Sequence, residues 1–547
     1  MPGGQGMTYY CTRNQRDLAF APRQQWFCFQ TTVHHTSFPF SSVPGFSNLL
    51  KAYAAEDPRL LPFCAGFPDV KSFQNQARMR EANFSEEDRK ILTEVLVSQM
   101  ANAATEAQKK NLALLSGNHT LTVSCGHQLV LGGGPVYMAY KIASTIKLAE
   151  RAEAVLGQPV VPVFWLASED HDAEEISSFS FLGTSQKFSF AQSGAVGRFS
   201  TEGLWEAIQK TPAMPPEMAG AYQKPNLSEA TRSWLNAYFG QYGLLILDAD
   251  TPILKKRFWP WFQKELESNA SEKHIQATEK ELEILGFKSQ IFARNLNLFR
   301  LTDGGRVRLE RSENGIETVD KTHNWNLEEA LSHFAANPET LSPNVCLRPL
   351  YSQVLLPDIA FVGGPAEIAY WMQLKSLFSA WDVHFPLLIP RFSALYLNPQ
   401  MASLRIKLGL ELAELIKEDG EIRKKLSGFS APAPLPDLKK AFAQQMEEAS
   451  RIDITLVPAL KAEIHRMEAS GLHFQNRLRK AAERRASEKI GQWAKLRNYS
   501  FPEGSLQERK EGWLSFVVEN PAWLDQLMKI VDPLDFQFCI WEESPAP

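Results

Sequence analysis

Leu121-Thr122-Val123-Ser124-Cys125-Gly126-His127-Gln128, the glycine run Gly132-Gly133-Gly134-Pro135 and the apolar run Val160-Val161-Pro162-Val163-Phe164-Trp165-Leu166 decide the fold. The first is a short β-prone segment broken by Gly126. Between the glycines and the apolar run, Val136 to Val155 reads as a helix, because Val136, Tyr140, Ala143, Ile146 and Ala149 recur every three or four residues. Pro135 suits a helix start, and Gly157-Gln158-Pro159 ends it. A nearly unbroken apolar strand is expected where both faces of a parallel sheet are covered. Val160–Leu166 runs into Ser168-Glu169-Asp170-His171-Asp172-Ala173-Glu174-Glu175, a polar loop at the carboxyl end of a buried strand. Open α/β sheets place their sites there.

A second copy of the layout lies downstream. Asp358-Ile359-Ala360-Phe361-Val362 stops at Gly363-Gly364-Pro365, a helix follows with Glu367, Tyr370 and Trp371, and His384 to Arg391 gives another buried strand. Tyr242 to Asp250 repeats the pattern of an apolar run ending in acids. Both helix N-termini are expected to offer backbone N–H groups to a phosphate or carboxylate. The fold class is therefore α/β, a parallel-sheet core with inserted segments.

The chain of 547 residues has room for several domains, with 44% apolar residues, 22% charged residues and a net charge of −4. That balance argues against nucleic-acid binding. Cys11, Cys28, Cys64, Cys125, Cys346 and Cys539 form no CxxC pair, which fits a reducing cytoplasm rather than a disulfide framework or zinc site. No apolar run approaches the roughly 20 residues of a membrane helix.

Residues 1–32 lack helical period and signal-peptide character and read as a disordered or non-native extension. Residues 33–178 make the first part of the core, and 179–240 an inserted connecting segment with alternation at Phe179–Phe181 and Phe188–Phe190. Residues 241–400 complete the core, with a helix near Thr251–Leu285 and strands at Phe292–Leu301 and Arg306–Leu309. Residues 401–499 read as a helical coiled-coil domain, a helix over 401–426 being joined by a linker at 430–436 to a helical stretch over 437–498 interrupted at Pro458 and Gly471, and 500–547 as a tail packing on the core. A continuous helix of about 40 residues would extend about 60 Å, longer than a domain core needs. It suits an outward-projecting antiparallel pair used for dimerisation.

Each candidate residue carries a structural alternative. The acids from Glu169 to Glu175 could ligate metal, move protons or cap the next helix; no distant partner completes a metal set, so no bound metal is predicted. His127 could meet a phosphate or merely fill a turn. Arg348 and Arg391 could bind an anion or pair with one of the many acids. Cys125 reads as a buried thiol. Periodicity and spacing stop at an α/β enzyme for a small anionic substrate.

Three motifs together resemble one family. They are Gly126-His127-Gln128 with Gly134-Pro135-Val136-Tyr137 and Tyr140-Lys141; Pro162-Val163-Phe164-Trp165 with Glu169-Asp170-His171-Asp172; and Arg348-Pro349 with Gly363-Gly364-Pro365 and Glu367-Ile368-Ala369-Tyr370-Trp371. Pro390-Arg391 and Gly504 to Arg509 add to them. The sequence from about Val33 onward resembles the bacillithiol biosynthesis cysteine-adding enzymes, the BshC family. The resemblance implies a Rossmann-like core with connecting-peptide insertions and a C-terminal coiled coil that forms a homodimer. It implies a ligase joining L-cysteine to the amino group of glucosaminyl-malate, with the route of carboxyl activation left open and ATP with magnesium the candidate cofactor. Asp170, His171 and Asp172 are then the candidate proton acceptors, and Asp172→Asn is expected to abolish turnover. Gly126, His127, Gln128, Tyr137, Lys141, Trp165, Glu169, Arg348, Gly363, Gly364, Glu367, Tyr370 and Arg391 are the candidate substrate- or nucleotide-binding residues. In the family it resembles, many members carry Gln at the position of His127. Two other classes, a metal-dependent hydrolase or nucleotidyltransferase using the 169–175 acids and a non-catalytic coiled-coil scaffold, remain as alternatives.

Overall fold

The computed structural model describes residues 33–543 apart from 101–102, 175, 303, 314 and 430–436. The expectations for the 1–32 extension, the 430–436 linker and Glu175 fall outside the described residues. The core sheet is built from β1 (Leu121–Gln128), β2 (Val160–Ala167), β3 (Leu245–Asp248), β4 (Asp358–Gly363) and β5 (Leu387–Pro390). Its order is β5-β4-β1-β2-β3, and every neighbouring pair is parallel. The chain thus winds away from β1 in one direction and returns to its other side at β4. That is the Rossmann arrangement, with the crevice expected where the winding reverses, outside the carboxyl ends of β1 and β4.

Register brings the chemistry together. His127 and Gln128 lie beside Leu166 and Ala167, and Gly363 lies beside Pro390. β2 is buried along its whole length, which explains its lack of alternation. Helix α1 (Val136–Leu156) is closed by Gly157 in the left-handed conformation (φ 68°). It is buried on most of its circumference, because it lies between the sheet and the C-terminal segment; Tyr140 packs edge-on against Phe392 and stacks with Trp523. Helix α2 (Pro365–Gln373) follows β4 directly.

Outside this core, Leu298–Thr302, Gly305–Ser312, Gly315–Thr318, Asn324–Trp325 and Leu341–Pro343 form an antiparallel sheet inserted between β3 and β4. A third sheet places Gln537–Glu543 between Val33–Pro39, antiparallel, and Ser393–Leu397, parallel.

Several sequence expectations are corrected. The alternation at Phe179–Phe181 and Phe188–Phe190 becomes a hairpin of Ser178–Phe181 with Thr184–Lys187; Phe188 lies just beyond it, donating its N–H to Ser177 O at 2.7 Å and stacking on Phe179. The helix expected over 251–285 is three helices, Pro252–Arg257, Trp259–Glu267 and Ala270–Ile284. In the coiled-coil region the break falls between Ala443–Ile452 and Leu456–Arg485. Pro458 sits in the first turn, where its missing N–H has no partner to lose, and Gly471 leaves the helix unbroken.

Candidate active site

A cavity of about 660 Å³ opens at the reversal point of the sheet. His127 and Gln128 reach it from β1, Tyr137 and Lys141 from α1, and Trp165, Glu169, Asp170 and His171 from β2 and its loop. Arg348, Gly364, Glu367, Tyr370 and Arg391 close the opposite side. The structure does not bring Asp172 to its wall: Asp172 is exposed, and its carboxylate accepts the Glu174 N–H at 3.0 Å. Gly126 and Gly363 stand one residue behind the wall, where the Gly126 carbonyl accepts from Lys141 Nζ at 3.0 Å and the Gly363 carbonyl from the Arg391 N–H at 2.9 Å.

The first glycine run does not present a free helix end. The Val136 N–H donates to Glu511 O at 2.8 Å, and Trp513 Nε1 donates to Gly133 O at 2.7 Å. Gly133 has φ 82°, and a Cβ there would lie 2.7 Å from the Trp513 ring, so this run is glycine to admit a buried indole. The second run does reach the cavity, but the Gly364 N–H donates to the Glu367 carboxylate three residues on at 2.8 Å. The anion site expected from two free helix ends is replaced by a set of side-chain charges.

Those charges are mostly paired. Lys141, with 2% of its side chain exposed, lies 2.5 Å from Glu367. Burial works to raise the Glu367 pKa, but Lys141 and the Gly364 N–H prevail and hold it below the ordinary value. Asp170 accepts from Gln128 Nε2 and from its neighbour's backbone, His171 N–H, at 2.8 Å. Its pKa is held well below the carboxylate range despite burial, by His171, Gln128 and the Arg306 charge. Glu169 pairs with the fully buried Lys255, and burial nevertheless raises its pKa. Arg391 is a two-pronged partner of Glu508, at 2.7 and 3.1 Å, with its guanidinium 5.2 Å from the centre of the Tyr137 ring. The ion-pair alternative holds for Arg391.

His127 donates from Nδ1 to Gln128 O at 2.9 Å, since a carbonyl can only accept. Burial, reinforced by Lys141, pushes its pKa down to about 4, so the imidazole is neutral at pH 7. Cys125 is buried beneath, its thiol pushed up to about 12 by that burial, which removes it as a nucleophile.

Sequence reasoning missed several contributors. Phe299 and Arg306 come from the inserted sheet, Arg294 from the segment before it, and Arg509 from the C-terminal segment. Arg306 sits in an alternating run, Arg306-Val307-Arg308-Leu309-Glu310, that looks like a solvated strand. Arg509 was within a recognised motif without an assigned role. Arg294 and Arg509 are exposed, and neither they nor Arg348 has a carboxylate ion pair among the described residues. Arg348 donates from Nη2 to Tyr370 Oη at 3.1 Å. These three guanidinium groups are the ones placed to meet an anion in the cavity. Among the described residues no group of three His, Cys, Asp or Glu side chains could hold a metal ion.

A Rossmann-like α/β core whose cavity combines neutralised carboxylates with unpaired arginines at the winding reversal defines a small-molecule enzyme of the parallel-sheet class. Comparison then narrows the class. Residues 33–392 match the model of the bacillithiol biosynthesis BshC N-terminal Rossmann-like domain, and residues 394–543 that of the BshC C-terminal coiled-coil domain. The chain belongs to the bacillithiol biosynthesis BshC family. It is 36% identical to a protein of Flavobacterium psychrophilum over 90% of this chain and 97% of the relative. Proteins of Christiangramia forsetii and Cytophaga hutchinsonii are 34% and 33% identical, covering 90% and 91% of this chain and 96% and 97% of their own lengths. All three bear the name "Putative cysteine ligase BshC".

Proposed function

We propose that this protein is a cytoplasmic cysteine ligase of bacillithiol biosynthesis, joining the carboxyl of L-cysteine to the amino group of glucosaminyl-malate. The observation that carries the reading is the cavity at the sheet reversal, where Arg348, Arg294 and Arg509 face a pocket whose carboxylates are already paired. Family membership supplies the reaction class.

Amide formation sets the requirements. A carboxylate oxygen leaves only after activation, and the attacking amine must give up a proton. Asp170 and His171 stand at the cavity wall as the proton-accepting pair. Arg348 is the candidate for the malate carboxylates, since a guanidinium matches carboxylate geometry. ATP, if it is the activating agent, supplies a leaving group on the cysteine carboxyl; Arg294 and Arg509 would hold its phosphates. Glu169, Asp170 and Glu367 are each engaged by a cation, so a magnesium ion would rest chiefly on the phosphates. The names of the relatives give no support to a metal-dependent hydrolase, a nucleotidyltransferase or a scaffold.

The test is mass spectrometry of the full chain with cysteine and glucosaminyl-malate, with and without ATP and magnesium. The expected result is the cysteinyl product only with nucleotide, and AMP or ADP identifies the activated intermediate. A folded protein that makes no product in either mixture overturns the reading of a self-sufficient ligase.

A further inference from the structure

Arg306 belongs to the inserted sheet, yet its side chain leaves that sheet and enters the wall of the core cavity. Only 7% of it is exposed. Its Nη1 lies 3.1 Å from His171 Nδ1 and 3.6 Å from Asp170 Oδ1. Nε donates to Ser342 Oγ at 3.1 Å, and Nη2 donates to the Pro343 carbonyl at 2.9 Å. The guanidinium carbon stands 4.0 Å over the Phe299 ring, and Ser342 Oγ in turn donates to Glu169 Oε2 at 3.3 Å. The Phe299 ring also lies against His171, with centroids 5.6 Å apart. One planar fork is thus fixed on a ring below, on the inserted sheet through Ser342 and Pro343, and on the core loop through Asp170 and His171. Arginine supplies such a fork and lysine does not.

We propose that Arg306 is a positioning residue that couples docking of the inserted sheet to the orientation of Asp170 and His171. Arginine has no acceptor, so the contact with His171 requires a lone pair on Nδ1 and puts the ring hydrogen on Nε2. That contact fixes the plane of the ring, with Asp170 Oδ1 3.4 Å from the same Nδ1. Without Arg306 the ring is free to turn, and Nδ1 is no longer held between the two. The core sheet alone therefore carries the pair but does not aim it; the inserted sheet does.

The role rests on the proposed reading of Asp170 and His171 as proton acceptors, whereas two of its readouts need no turnover. The full chain would be compared with Arg306→Gln and Arg306→Lys by hydrogen exchange and by nitrogen NMR of labelled histidine, with His171 assigned from His171→Gln. Expected is a shift of His171 from one tautomer to a mixture, and backbone exchange over 168–174 faster by about tenfold, the loss of one charge-assisted hydrogen bond. Exchange over β1 stays unchanged, and Arg306→Lys recovers exchange protection but not the tautomer. The ratio kcat/KM for cysteine falls mainly through kcat.

Unaltered tautomer and exchange in a folded variant overturn the proposal, as does acceleration spread evenly over the chain, which marks a merely structural arginine. If neither variant folds, exchange of 168–174 in a Phe299→Leu protein decides in the same way, since the ring carries the fork. Altered geometry in a protein whose parent shows no ligase activity leaves the positioning role standing and overturns the ligase reading. A parent that turns over, matched in kcat by Arg306→Gln, does the reverse.

Discussion

Two acids separated by one residue have different fates. Asp170 meets the cavity and is held ionised by three neighbours, while Asp172 turns outward and caps its own loop. Asp170→Asn is accordingly expected to lower kcat by about 100-fold or more, because a carboxylate held this acidic serves as the ionised partner of His171, and Asp172→Asn to change it by less than about threefold. Steady-state turnover with both substrates checks this, and equal losses in the two variants would remove the distinction. The depressed Asp170 pKa stabilises the fold above the ordinary carboxylate value, and that contribution is lost as pH falls below about 4. His127 acts in the same sense but in a higher pH window. Its unfolded pKa near 6.5 drops to about 4 on burial, so between those values the unfolded chain binds the extra proton and stability falls as pH falls. Between pH 7 and 5 this amounts to about 2 kcal/mol. His127→Gln should remove that slope; urea unfolding at both pH values measures it, and an unchanged slope would place the proton elsewhere.

At the scale of elements, the β1–α1–β2 unit and its polar end were legible because both faces of the strands are buried and the helix has a strong period. The inserted sheet was not. Its strands alternate apolar with charged residues, and one of them has only two residues, so the local signal is that of loops and solvated edges. The glycine run before α1 misled for a different reason: its partner, Trp513, lies 380 positions away in the chain. No local pattern shows that a glycine makes room for a distant indole. The same distance hides Glu508 as the partner of Arg391. Gly133→Ala tests the assignment. The left-handed backbone and the 2.7 Å approach to Trp513 together should cost about 2 kcal/mol or more, read as a lowered melting temperature. A wild-type melting curve would restore the helix end as a candidate anion site.

For the whole molecule, the 30-residue helix Leu456–Arg485 shows Met467, Phe474 and Leu478 on one face, with exposures of 41, 57 and 41%. They are spaced seven and four residues apart, the spacing of a helical seam. The proposal is that a second copy of the chain covers this face. Phe474→Glu is expected to halve the mass found by light scattering while leaving the melting curve of the core in place; a wild-type protein of single-chain mass would exclude the pairing. The third sheet has a different kind of consequence. The strand Val33–Pro39 hydrogen-bonds along its length to Gln537–Glu543. During synthesis the early strand waits for a partner about 500 residues behind it, which at ribosomal speeds is roughly half a minute to two minutes. Until then its edge stands open to any other unpaired strand. A chain released before residue 543 would keep that edge exposed, so the strand Gln537–Glu543 doubles as a seal on one made some 500 residues earlier.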